Sequence, residues 1–198
     1  ECERWSRLHP DAAPRVPYLH AEPERITRWA GVFDRDYINV GVCWQGNPTR
    51  RIDRGRSIPL AEFLPLARVP GVRLWNLQKN FGLEQLRGLP QGMQVHELGP
   101  EFDEGEDAFL DSAAVLQHLD LLVSADTSIT HLAGALGRPA WLALNPVPDW
   151  RWQLERVDSP WYPSVRLFRQ AHGGDWATVF TAMAAELAAS APARRAAR

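Results

Sequence analysis

The sequence predicts an α/β protein with a doubly wound, mostly parallel sheet of about six strands, a Rossmann-like fold. From residue 38 onward, short apolar runs of strand length alternate with segments of helical pattern, and this alternation is typical of βαβ units. The apolar runs are also continuous rather than alternating with polar residues, as expected of strands that are buried on both faces.

Residues 1–37 are expected to form an interdomain linker and a bracing helix rather than part of the sheet. The stretch HPDAAPRVPYL is rich in proline, and PERITRWAGVF then has the pattern of a helix that begins at a proline, a residue common in the first helical turn. The first residue is Glu1 rather than methionine, so we expect the sequence to be a piece of a longer chain.

The main domain is expected to span residues 38–190. Its strands are expected at residues 38–44, 72–78, 94–99, 119–125, 140–145 and 165–170. Helices are expected to begin at Leu60, Leu83, Ala108 and Ser128, and a last helix is expected to follow Asp175, a typical N-cap residue. The basic, low-complexity residues 191–198 are expected to be a disordered tail.

Composition and motifs exclude several functional classes. The net charge of −2 gives no electrostatic footprint for nucleic acid, and no apolar run reaches the ~20 residues of a membrane helix. Histidine and cysteine lack metal-ligand spacing, and Walker, G-x-G-x-x-G and G-x-S-x-G motifs are missing. We therefore expect neither a metal nor a cofactor. Two cysteines, Cys2 and Cys43, give no disulfide framework, which favours a reducing cytoplasm.

The loop WQGNPTRRIDRGRSIPL is the first candidate binding segment, because ligands of open parallel sheets lie at the carboxyl ends of strands. In this loop Gly46 allows close approach of the backbone to a ligand, and Asn47 tolerates turn conformations. The loop also carries guanidinium groups, which suit phosphate oxygens, at Arg50, Arg51, Arg54 and Arg56. A solvated basic loop balanced by Asp53 is the alternative.

The stretch SADTSITHLAGALGRP, residues 124–139, is the second candidate. A helix from about residue 128 to 136 would place a core stripe at i, i+3, i+4 and i+7, formed by Ile129, Leu132, Ala133 and Leu136. Thr127 and His131 fall on the opposite side. The hydroxyls of Thr127 and Ser128 and the first N–H groups of the helix would form an anion site, and Asp126 would accept hydrogen bonds from N–H groups or a ligand hydroxyl. Gly137 would end the helix. Simple capping and a packed histidine are the alternatives.

Three other loops are weaker candidates. Gln78 and Lys79 end the second expected strand, where they would meet a ribose or a base edge, unless the segment is a plain loop. The long segment NPVPDWRWQLERVDSPWYPS carries Asp149, Trp150 and Trp152, which would form a lid or a ring-stacking wall. Packing of these tryptophans on the sheet edge is the alternative. The acidic run GPEFDEGED is expected to be a solvated loop.

The motif in residues 124–139 resembles the D-T-x-x-x-H-L-x-x-A-L pattern of heptosyltransferase-like glycosyltransferases of family 9. The wider set WQGNP, RSIPL, LWNLQK, PDWRW and DSPWYPSVRLFRQ is similar to the C-terminal halves of bacterial proteins that join tetratricopeptide repeats to such a transferase domain. The resemblance implies the nucleotide-sugar-binding half of a GT-B fold, and inverting, metal-independent sugar transfer.

The resemblance also implies roles for individual residues. Asp126, Thr127 and His131 would contact the donor sugar and diphosphate, and Arg56 would bind donor phosphate, although Ser57 separates it from the Ile-Pro pair. Gln78 and Lys79 would lie near the nucleoside. The general base would belong to an N-terminal GT-B domain, so this piece would bind donor weakly and not turn over.

The expected partners are a nucleotide-sugar, which is a substrate, the N-terminal domain and the tetratricopeptide repeats. The expected location is the cytoplasm, with attachment to the periphery of the inner membrane left open. A non-catalytic interaction module that keeps the fold is the alternative function. A nucleic-acid role of the arginine loop is disfavoured by the near-neutral charge.

Overall fold

The structure, a computed structural model, describes residues 15–49, 53, 55–105 and 108–196, with side chains up to residue 191. In this part of the chain six parallel strands form one sheet in the order β3-β2-β1-β4-β5-β6. The strands are β1 (Ile38–Cys43), β2 (Val72–Asn76), β3 (Val95–His96), β4 (Leu121–Ala125), β5 (Ala140–Leu144) and β6 (Val165–Arg169). The predicted doubly wound α/β sheet is confirmed.

The α-helices are α1 (Pro23–Trp29), α2 (Leu64–Ala67), α3 (Leu110–His118), α4 (Ser128–Ala135) and α5 (Trp176–Ala196). Within the described residues, three 3-10 helices occur, at Leu60–Phe63, Leu83–Gly88 and Trp150–Trp152. The expected helix at Leu83 is thus a 3-10 helix. Gly82, with φ of 87°, precedes this segment, and Pro90 follows it and prevents its continuation as a helix.

Helix α5 begins as predicted and ends later than predicted. Asp175 caps it, because its Oδ1 accepts the N–H of Thr178 at 3.1 Å. The helix continues to Ala196, six residues beyond the predicted end of the domain at residue 190. Residues 197 and 198 lie outside the described part.

Two apolar layers cover the sheet. One face packs against α1, α3 and α4, with Trp29, Leu116 and Ile129 in its core. The other face packs against the α2 region and α5, with Phe63 and Phe180 in its core. Every residue of β1, β4 and β5 is buried, because central strands of a doubly wound sheet are covered on both sides.

Helix α1 is anchored to α3 by a buried carboxylate. Asp111 Oδ1 accepts hydrogen bonds from Trp29 Nε1 and Arg25 Nη1, each at 3.0 Å. The helix predicted in the first 37 residues is therefore present, and it is fixed to the sheet's flanking layer. None of the described helices combines the length and apolar character that crossing a bilayer requires.

Candidate functional site

The strand order reverses between β1 and β4, which are neighbours in the sheet but not in the chain. Ligands of open α/β sheets bind at such a switch point, beyond the carboxyl ends of the strands. A cavity of about 620 Å³ opens there, within the usual range for small-molecule sites. Eight predicted binding residues line it: Gly46, Asn47, Arg56, Gln78, Lys79, Asp126, Thr127 and Ser128.

The first turn of α4 faces this cavity without a side-chain cap among the described residues. Thr127 is the N-cap residue, yet its Oγ1 turns back to the strands, 3.1 Å from Ser124 Oγ and 3.5 Å from Cys43 Sγ. The first N–H groups of a helix have no intrahelical partner, and the helix dipole adds positive potential. Capping therefore does not explain Thr127, and the turn is suited to an anion.

Arg56 and Asp126 lie together beside this helix start. Arg56 Nη2 is 3.1 Å from Asp126 Oδ2 and donates to the backbone carbonyl of Asp126. Asp126 is only 5% exposed, yet its Oδ2 and Arg56 Nε have no hydrogen-bond partner within the described part of the chain. Buried polar atoms are nearly always paired. Arg56 Nε thus keeps its N–H for a ligand, and Asp126 Oδ2, which is ion-paired with Arg56, can accept a further hydrogen bond.

The loop after β1 is held by its own polar side chains. The N–H of Gly46 donates to Ser57 Oγ at 3.2 Å, and Ser57 Oγ donates to the Asp53 carboxylate at 2.8 Å. A Cβ at Gly46 would lie 2.8 Å from Asp53 Oδ1, so the glycine admits a carboxylate rather than a ligand. Asn47 Oδ1 accepts from the N–H of Thr49 at 3.0 Å. The other predicted arginines, Arg50, Arg51 and Arg54, lie outside the described residues.

Gln78 lines the cavity, but its amide is used inside the protein. Its Oε1 accepts the N–H groups of Trp44 at 3.0 Å and Gln45 at 2.9 Å, and also contacts Cys43 Sγ. Its Nε2 donates to the carbonyls of Gln45 at 2.8 Å and Phe81 at 2.9 Å. Gln78 therefore joins the ends of β1 and β2, and its predicted contact with a nucleoside is not available to the amide.

Lys79 is similarly engaged. Its Nζ donates to the carbonyl of Phe102 at 2.5 Å and lies 5.6 Å from the centroid of the Phe102 ring. The ammonium group adds positive potential to the cavity, while its hydrogen bond fixes the loop after β3.

His131 does not line the cavity. As predicted, it lies off the core stripe of α4, in which Ile129, Ala133 and Leu136 are buried. Its ring stacks on Trp152 at 5.1 Å between centroids, and its Nδ1 lies 3.3 Å from the hydroxyl of Tyr162. Burial lowers the pKa of His131 below its ordinary value, so the ring is neutral at pH 7.

The far end of α4 is also fixed. Gly137 has φ of 68° and ends the helix as predicted, with the N–H of Arg138 donating to the Ala133 carbonyl at 2.8 Å, the pattern of a Schellman motif. The N–H groups of Tyr18 and Leu19 donate to the Ala135 carbonyl at 3.0 and 3.3 Å. The segment before α1 is therefore bonded to the end of α4 that lies opposite the cavity.

The predicted lid is wrong for Trp152, which is completely buried. It fills the space beside His131 and Tyr162, where burying a large ring is more favourable than exposing it. Asp149 caps the 3-10 helix by accepting the N–H of Arg151 at 3.1 Å. Trp150 is 54% exposed, and neither it nor Asp149 lines the cavity.

Sequence reasoning missed the wall that the start of α3 contributes. Asp103, in the acidic run predicted to be solvated, caps α3: its Oδ1 accepts the N–H groups of Asp111 at 3.0 Å and Ser112 at 3.1 Å. Phe81 and Phe109 expose their rings to the same cavity. An acceptor eight residues before the N–H group of Asp111 leaves no local signal, because capping residues are normally adjacent to the turn they cap.

Cys43 lies at the floor of the cavity. Burial raises the pKa of its thiol, so the group is a neutral thiol at pH 7. Among the residues that the structure describes, no group of three or more His, Cys, Asp or Glu side chains is placed to hold a metal ion.

Comparison with known proteins gives a family match for part of the chain. Residues 72–144, which contain β2 to β5, match the model of glycosyltransferase family 9 (heptosyltransferase). Protein FlbA of Caulobacter vibrioides is 27% identical over 164 residues, which are 82% of this chain and 27% of FlbA.

Two solved structures share the fold. The ADP-heptose LPS heptosyltransferase II of E. coli has a TM-score of 0.60 at 16% identity, and the family 9 glycosyl transferase of Veillonella parvula has 0.60 at 12%. Each match covers 92% of this chain and 55% of the other. The chain thus spans about half the length of these transferases and about a quarter of FlbA. Residues 72–144 thus match the glycosyltransferase family 9 (heptosyltransferase) model, and the described sheet and helices share the fold of the two solved transferases.

Proposed function

We propose that this chain is the donor-binding part of a GT-B glycosyltransferase of family 9, which transfers a sugar from a nucleotide-sugar to an acceptor. The observation that carries the proposal is the uncapped first turn of α4, which faces the cavity at the switch point beside Arg56. Backbone N–H groups and a guanidinium group are the donors that bind a diphosphate in a parallel α/β fold.

The diphosphate would lie between Arg56 and the start of α4. Arg56 Nε and Asp126 Oδ2 are buried polar atoms without a hydrogen bond here among the described residues, and Oδ2 also lies 3.1 Å from Arg56 Nη2. Nε would donate to a phosphate oxygen, and Oδ2 would accept a hydroxyl of the sugar. Both roles agree with the charge of each group, since a carboxylate repels phosphate and accepts hydrogen bonds.

The proposed reaction is metal-independent and inverting. Arg56 and the dipole of α4 would stabilise the charge that develops on the leaving diphosphate, a role that a metal ion has in other transferases. The general base would come from a second domain of the full-length protein, because the transferases with this fold are almost twice as long as the chain. The nucleotide-sugar is a substrate, and the reaction needs no cofactor.

The test is a titration of the chain with ADP, GDP, UDP and inorganic pyrophosphate, followed by amide chemical shifts of residues 126–131. We expect shifts in this segment at millimolar ligand, and their loss in Arg56→Met. Arg68→Met is the matched control, because Arg68 is exposed and does not line the cavity. Absence of shifts with all four ligands would refute donor binding.

In the full-length protein, Asp126→Ala and His131→Ala should lower turnover while circular dichroism stays unchanged. Asp126 would act on the sugar directly, and His131 would act by holding α4 against Trp152. Unchanged turnover in both variants would contradict these roles.

A second candidate function, a protein-interaction module, is favoured by the loop between β5 and β6. Its charged side chains pair with each other, as in Arg151 with Asp149 and Arg156 with Asp158. Four of its apolar side chains are exposed: Val147, Trp150, Leu154 and Val157. A module of this kind would ignore the nucleotides and lose a partner when Leu154 is replaced by lysine.

A further inference from the structure

The wall of the cavity formed by the loops after β2 and β3 presents aromatic rings, unlike the wall formed by α4. Phe81 and Phe109 line this wall and are 43% and 44% exposed. Neither ring has an aromatic partner within the described part of the chain, whereas Trp152 and Tyr162 in the neighbouring loop pack together. Two unpacked phenylalanine rings in one concave surface are a ready contact for a ligand, since exposed aromatic rings cost hydration free energy.

The backbone holds Phe109 in a conformation that its side chain does not favour. Phe109 is the residue before α3 and has φ of 72°, a left-handed conformation that glycine and asparagine adopt more readily. The position is enforced by Asp103, which caps the next turn through Asp111 and Ser112. Strained residues of this kind cluster at binding sites, and here the strain keeps a ring at the cavity wall.

The polar side chains of the same wall are largely committed. The amide of Gln78 bonds Trp44, Gln45 and Phe81. Lys79 Nζ bonds the Phe102 carbonyl, and Ser112 Oγ donates to Asp103. Asn80 is exposed on this wall and has no such bond in the described residues. The wall therefore offers mainly ring faces, and few side-chain groups that could read the edge of a base.

We infer that Phe81 and Phe109 form a stacking subsite that binds the nucleobase by its faces and discriminates weakly between bases. This inference rests on the proposed function, which puts the diphosphate at the Arg56 end of the cavity. Stacking tolerates any base because every base has a π-face. Strong discrimination needs hydrogen-bonding groups that are left unpaired by the wrong ligand, and most such groups on this wall already have partners.

The test compares ADP, GDP, UDP and inorganic pyrophosphate by calorimetry on the wild-type chain, Phe81→Leu and Phe109→Leu. We expect the three nucleotides to bind within about tenfold of one another, since stacking is sequence-tolerant. Each variant should weaken all three by about 5- to 150-fold, the range for loss of one base–aromatic contact. Pyrophosphate affinity should not change. Phe109→Asn removes the ring and suits the left-handed backbone, so it separates ring loss from strain. Leu154→Ala, exposed outside the cavity lining, is the control.

The outcomes separate this inference from the proposed function. If no ligand binds, the proposed function fails and the subsite with it. If pyrophosphate and the nucleotides bind equally well, or the phenylalanine variants bind nucleotides as the wild type does, the anion site stands and the stacking subsite is overturned. If one nucleotide binds more than about 100-fold tighter than the others and Asn80→Ala abolishes this preference, hydrogen bonds to the edge of the base determine affinity. The stacking subsite is then overturned as well.

Discussion

Replacing Gln78 by methionine tests whether this residue holds the protein together or only touches a ligand. Methionine has a similar size and no hydrogen-bonding amide. The change would leave the N–H groups of Trp44 and Gln45 and the carbonyls of Gln45 and Phe81 without their present partner. A buried polar group left without a hydrogen bond costs about 1–3 kcal/mol. This cost applies in full to the buried N–H of Trp44. Water can partly replace the lost partner at the other three groups. We therefore expect the free energy of unfolding to fall by about 3 kcal/mol.

The assay is urea unfolding followed by tryptophan fluorescence, with nucleotide titration of the folded variant. Gln94→Met is the matched control, since Gln94 is exposed, and it should change stability by less than about 0.5 kcal/mol. If Gln78→Met unfolds like the wild type and only nucleotide affinity falls, Gln78 is a ligand contact and the structural reasoning is wrong.

Three other predictions use the same chain. Gly134→Ala should lower the free energy of unfolding by at least about 1 kcal/mol, because the new Cβ would lie 2.4 Å from the Tyr162 ring. In a helix without such a neighbour the same change is stabilising. Urea unfolding should show recovery of stability in the double variant with Tyr162→Ala. Because burial lowers the pKa of His131, the unfolded chain binds more protons, so stability should fall as pH drops below the ordinary histidine pKa of about 6.5. His131→Gln should flatten that decline, and an identical pH profile would contradict the argument. In a Cys2→Ser background, Cys43 should react slowly with iodoacetamide at pH 8. The thiolate is the nucleophile, and burial raises the pKa of this thiol. Alkylation of the folded protein as fast as that of the protein in urea would refute this.

The sheet, and the cavity at the carboxyl ends of its strands, could be predicted from the sequence because both depend on local patterns. Continuous apolar runs indicate buried strands, and their carboxyl ends define where the loops converge. The helical phase of residues 128–136 correctly separated Ile129 from His131, because that phase depends only on the period of the α-helix.

The roles of several side chains could not be predicted, because their partners are distant in the chain. The amide of Gln78 bonds residues 33 and 34 positions away, and nothing near Gln78 in the sequence indicates this. Trp152 and Trp150 are two residues apart in one aromatic segment, yet one is buried and the other is 54% exposed. The direction in which the loop turns decides between them, and the loop is shaped by tertiary packing.

The two ends of α4 have different neighbours, so a rotation of the helix about one end would displace the other end. Eight residues span about 12 Å, with the cavity at Ser128 and the bonds from Tyr18 and Leu19 at Ala135. A tilt of about 5° about the Ala135 end would displace the first N–H groups by about 1 Å, by the same helix length. A displacement of that size is enough to break a hydrogen bond to a phosphate oxygen. The hydrogen bonds from Tyr18 and Leu19 at one end of α4 would therefore help to hold the proposed phosphate-binding N–H groups at the other end in position.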